Sequence, residues 1–133
     1  MTIPNYCSSM RSLVLGTALC FAGAAFAHHG WAWTEDEETQ MSGQLEKIHL
    51  GNPHAHVELR NAQGLWEVDL APPGPTERAG FVDGVAKVGD TAIVTGHRSK
   101  DPKELMFKAE TITVNGKTFD VYPSRPKSLK PGG

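Results

Sequence analysis

The sequence is poor in cysteine and has no long apolar run after its first 27 residues. Both cysteines, Cys7 and Cys20, lie before residue 21. The stretch from Arg11 to Ala27 is apolar and closes on Ala25-Phe26-Ala27. A charged start, an apolar core and a small-x-small end are the pattern of a secretory signal peptide, expected here over residues 1–27. The stretch is too short to anchor a helix stably across a bilayer. Cleavage after Ala27 would leave a chain without a thiol, which excludes disulfides, thiolate metal sites and a cysteine nucleophile. Any metal would then fall to His, carboxylate, Met or the new N-terminus.

Basic residues are also in slight deficit. There are 13 Lys and Arg against 15 Asp and Glu, a net charge of −2. Arg11 is the one charged residue before residue 28, so 12 basic and 15 acidic residues would remain. That balance argues against a nucleic-acid partner. Phosphate-binding glycine loops, GxSxG and HExxH are missing, so nothing points to hydrolysis or phosphoryl transfer. What is present, 39% hydrophobic and 8% aromatic residues, suits an ordinary globular domain. Removing 27 of 133 residues leaves 106, enough for one core.

Alternation of apolar and polar residues predicts β-structure through this remainder. Residues 28–38 are polar and aromatic and end in Glu35-Asp36-Glu37-Glu38, which reads as a flexible N-terminal arm. A strand is expected over 39–50. Met41, Gly43 and Leu45 share one face and Ile48 and Leu50 the other parity, so a bulge near Glu46-Lys47 is required. Strands follow at 54–60 and 65–70, the latter with Trp66, Val68 and Leu70 facing in. The Pro-rich break at 71–75 leads to a short helix over 76–81, with Glu77 in its first turn. Strands are expected again at 91–98, 105–114 and 118–122, and a disordered Pro- and Lys-rich tail at 123–133. Three strands, a helix, then two or three strands predict an all-β domain over 39–122. The expected form is a small five- to six-stranded OB-like barrel with one short helix between strands three and four. A small open sandwich is the alternative.

Two histidine groups could carry chemistry. Cleavage after Ala27 would make His28 the first residue, and its free amine and imidazole form a chelating nitrogen pair suited to copper. His29 follows at once. The second group is His54-Ala55-His56. On a strand, residues i and i+2 point the same way about 6.6–7 Å apart. Ala55, Val57 and Leu59 claim the core, so His54, His56 and Glu58 should look outward together. The candidate metal ligands are therefore His28, His29, His54, His56 and Glu58. His49 and His97 are read as satisfied or exposed side chains, and Met41 and Met106 as core. Trp31, Trp33 and Trp66 are candidates for docking a partner.

The same landmarks carry a resemblance. Ala27-His28-His29-Gly30, Gly43, Asn52-Pro53-His54, Trp66-Glu67, Arg78 to Gly80 and Val88-Gly89-Asp90 resemble a family of small bacterial exported proteins, the domain of unknown function 6152. The likeness covers nearly all of 27–122. Family members usually have Ser-Phe after the paired histidines, where Gly30-Trp31 stand here. They usually have an Arg-Asp-Gly loop where this chain has Ser99-Lys100-Asp101-Pro102. The resemblance implies a periplasmic OB-like domain and implies no activity. From the residues, the expectation is a periplasmic copper-binding protein that carries or buffers the ion rather than turning over a substrate, with another periplasmic protein as its expected partner. The alternative is a non-metal module that binds a protein or small ligand in an OB-like groove. A third reading, an oxidative copper enzyme, needs an exposed brace and an oxidant.

Overall fold

The computed structural model describes residue 2 and residues 30–132. Six strands and one helix follow in order: β1 (Thr39–His49), β2 (His56–Asn61), β3 (Gly64–Asp69), α1 (Pro73–Arg78), β4 (Thr91–Arg98), β5 (Met106–Val114) and β6 (Lys117–Asp120). The sheet order is β3-β2-β1-β4-β5-β6, and a parallel pairing of β3 with β5 closes the first five strands into a barrel. β6 adds to the outside as an antiparallel neighbour of β5. This is the OB-like barrel expected from the element order. Among the described residues no helix is long and apolar enough to cross a membrane.

Alternation builds the core. Leu45, Val57, Leu59, Val68, Val94, Phe107, Ala109 and Ile112 are fully buried, and Trp66 joins them at 3% exposure. The β1 parity switch is resolved as predicted, by a bulge between Leu45 and Lys47 against β2. It lets Ile48 pack against the core after Leu45, at the cost of one unpaired residue.

Two glycines permit closure. A methyl group at Gly43 would sit 2.4 Å from the Arg60 carbonyl oxygen, and one at Gly96 would sit 2.0 Å from that of Lys108. Gly96 also has φ +155° and marks a bulge in the β4–β5 pairing. Any side chain there would hold the strands apart.

The helix lies earlier than its expected span. Pro73 and Pro75 fit the first turn, where no N–H is needed and their fixed φ is helical. Glu77 consequently falls near the helix end, not in its first turn. Thr76 is buried and its hydroxyl donates to the Ala71 carbonyl at 2.8 Å.

Two segments read as loose from their composition make specific contacts instead. Thr34 bridges to Ser99, and the Glu35 amide donates to the Arg98 carbonyl at 2.9 Å, so the arm continues along β4. In the tail, the Lys127 ammonium donates to the Tyr122 and Arg125 carbonyls at 2.9 and 3.1 Å and pairs with Asp120 at 3.0 Å. Composition alone does not reveal these contacts, because the arm's partners are distant in sequence and the tail folds back on its own backbone.

Candidate functional site

The barrel registers line up one row of polar residues. His49 pairs with His56 across β1 and β2. His56 pairs with Asp69 on β3, Asp69 with Lys108 on β5, and Lys108 with His97 on β4. Their sequence neighbours Val57, Val68 and Phe107 are core residues. Because side chains alternate along a strand, the row lies on the outer face of the barrel.

Half of this row is roofed. Lys108 is 2% exposed, and its ammonium lies 5.0 Å from the centre of the Trp31 ring and 5.9 Å from that of Tyr122. Burial pushes its pKa down from 10.5, against the opposing pull of Asp69. Burial likewise raises the Tyr122 hydroxyl above 10.0, helped by Asp69. The Trp31 ring also stacks under the Arg125 guanidinium at 3.7 Å. It meets His97 and Tyr122 edge-on at 5.6 and 4.9 Å. Aromatic faces attract cations, so two charges hold this ring in place.

Glu110 lies beneath the roof with no exposed surface. Its Oε1 accepts from His97 Nε2 at 3.0 Å and from Arg125 Nε at 2.9 Å. The other ring nitrogen of His97 faces the Glu37 carbonyl oxygen at 3.1 Å. The adjoining Glu38 carboxylate accepts from the Ser128 hydroxyl at 2.6 Å and the Leu129 amide at 3.1 Å. Burial alone would raise the Glu38 pKa, but the bonds from Ser128 and Leu129 and the nearby His97 bring it below 4.5. A cavity of about 380 Å³ opens here between Glu38, His97, Arg125 and Lys127.

The other half of the row contains His49, His56 and Asp69, all half-buried. The His49 and His56 rings lie 4.8 Å apart with a 35° tilt. Glu58, one rung along β2, is paired with Lys47 at 3.3 Å. Among the described residues no three His, Cys, Asp or Glu side chains stand together as a ready metal-ligand set.

The expected site residues therefore separate. His28 and His29 lie outside the described residues. His56 and Glu58 share the outward face as predicted, while His54 lies just ahead of β2. Trp66 is a core residue, not a docking surface. Its indole N–H donates to Asn61 Oδ1 at 3.1 Å and Arg98 lies 4.9 Å over its ring. Trp31 is the keystone of the roof, and Trp33 is half-buried in the turn that its carbonyl shares with Lys100. His97 is satisfied, as its strand-end position suggested. His49 is the residue that the sequence reading passed over as a partner for His56. The signal was the parity switch in β1, because the bulge it requires brings His49 opposite His56.

Fold and site together define a small OB-like β-barrel with a histidine-bearing row on its outer face, half of it covered by the N-terminal arm and the tail. The chain belongs to a family of unknown function (DUF6152), whose profile matches residues 17–107. The match takes in every histidine from His28 to His97 and stops one residue before Lys108. No curated protein matches the sequence.

Proposed function

We propose that this is an exported copper-binding protein that carries or buffers the ion in the periplasm. In this reading the signal peptide is cut after Ala27. His28 then supplies its amine and imidazole, with His29 beside it, and His54 and His56 supply imidazoles from the barrel. Neutral imidazole and amine nitrogens suit copper(II) and bind it more tightly than other divalent first-row ions.

One observation supports the reading above the others. Trp31 packs over Lys108, in the same row as Asp69 and His56. His28 precedes Trp31 by three residues, which span at most about 10–11 Å. Asp69 and His56 are one and two strands away from Lys108, roughly 5 and 10 Å. An N-terminus at His28 can therefore reach the open half of the row.

Native mass spectrometry of protein purified from a periplasm tests this directly. The expected result is a chain beginning at His28 that retains one copper ion. A variant that keeps a Met ahead of His28 should bind far more weakly. A different N-terminus, or equal binding by both forms, would remove the amine-imidazole chelate.

The second reading, a docking module for a protein partner, rests on a different surface. Val82 and Val88 are 39% and 65% exposed, and Val82 lines a shallow cleft with Leu50 and Phe81. Alanine at the two valines, and not metal removal, would then abolish partner capture.

A further inference from the structure

We propose that His49 and His56 form a two-imidazole site for a divalent transition ion on the β1–β2 hairpin, with Asp69 next to it on β3. This names barrel-side donors for the copper reading, yet it stands on residues that do not depend on where the N-terminus is cut.

Three observations carry it. The first is register. The bulge between Leu45 and Lys47 turns His49 to face His56 directly across the antiparallel pair, and directly opposite residues have Cβ atoms about 4.5–5.5 Å apart. The rings are already side by side at 4.8 Å with a 35° tilt. Two nitrogens bound to one ion at roughly 2.0–2.1 Å each stand about 3–4 Å apart, so small ring rotations suffice to converge them.

The second is space. A methyl group at Gly51 would lie 3.0 Å from both Cε1 and Nε2 of His49. Glycine at this position leaves the metal-binding edge of the His49 ring uncrowded.

The third is the charge around the pair. Lys47 and Glu58 neutralise one another on the neighbouring rung. On the far side of His56 the paired residue is Asp69, whose field acts on Lys108 and Tyr122. A carboxylate next to two imidazoles favours a divalent cation, and the nitrogen donors select copper(II), nickel(II) or zinc(II) over magnesium or calcium. The remaining coordination positions are left to water or to a further donor.

The test uses the chain from His28 with a Met retained ahead of it, which blocks the terminal amine. Copper(II) and zinc(II) are titrated separately by calorimetry and followed by the ring ¹⁵N resonances of the histidines. The site predicts one ion bound in each titration, with the His49 and His56 resonances shifting together on adding diamagnetic zinc(II). His49→Ala and His56→Ala should each weaken binding at least tenfold, and the double variant should lose little more than either alone. Gly51→Ala should weaken binding while both imidazoles remain, which separates crowding of the ring from loss of a ligand. Binding unaffected by His49→Ala, or resonance shifts at His54 in place of His49, would overturn the proposal. Loss of all copper binding on blocking the amine would also overturn it, and would leave the His28 chelate standing. Retention of binding in the blocked chain, with no gain on freeing the amine, would support the pair and remove the chelate.

Discussion

The roofed and open halves of the row contain similar residue types put to different use. His97 and Glu110 are shut in under Trp31, with Arg125 and His97 both bonded to Oε1 of the carboxylate. His49, His56 and Asp69 occupy the same row with partial access to water. Burial makes the difference. A buried carboxylate destabilises the fold unless it is bonded, so the contacts of Glu110 Oε1 with His97 and Arg125 tie β5 to β4 and the tail. A half-exposed imidazole keeps its contact with water, and in the proposed site it would give that water up for a metal. The covering segments thus divide one row of polar residues into a sealed part and a part that water reaches.

The largest expected effect tests the roofed half. Glu110→Ala leaves His97 and Arg125 without their shared acceptor, and breaking such a buried ionic contact costs about 3–5 kcal/mol. Thermal or urea unfolding should show this loss, and a change under about 1 kcal/mol would mean that the cluster is not the structural half described. Trp31→Ala should cost less, about 2 kcal/mol, because the ring is half-buried and its gains come from stacking against Arg125 and Lys108. Amide exchange should quicken at Thr34 and Glu35, whose bonds tie the arm to the β4 end, while the β1–β2 amides keep their protection.

The open half should respond in the opposite way. His49→Ala and His56→Ala should change unfolding free energy by no more than about 0.5 kcal/mol without metal, and only the metal-loaded protein should register their loss. A large effect in the metal-free protein would assign these histidines to packing and erase the contrast. The smallest effect concerns Glu38. Its folded pKa lies below 4.5, so its hold on the tail is fully present above that value and fades as pH falls through the folded pKa. The Ser128 and Leu129 amide resonances should move toward random-coil positions in that acidic range, with little change in global stability because the pair is partly screened by water.

Much of the barrel was legible because period-two alternation reports burial directly. The inward faces of β2 and β3 and the Asn115-Gly116 turn between β5 and β6 followed from pattern and turn chemistry. The β1 bulge was legible for the same reason, since a parity switch has no other cheap solution. The helix start was displaced because Pro73 and Pro75, read as breakers, are favourable in a first helical turn. Within the candidate site, His56 was visible as an outward residue of an alternating strand. Its partner was not, because proximity in sequence favoured His54, whereas adjacency in a sheet depends on register.

The sequence by itself determined the strands, their inward faces and the family, since alternation, turn residues and motif order are local properties of the chain. It also set the histidines that could take a metal. Only the tertiary structure decided which of them meet. Closing β3 onto β5 joined residues from five strands into one row, and the docking of Trp31 against Lys108 and Arg125 decided which part of that row is sealed. Those pairings are set by barrel closure and shared burial, which act between residues far apart in sequence and leave no periodic trace along it.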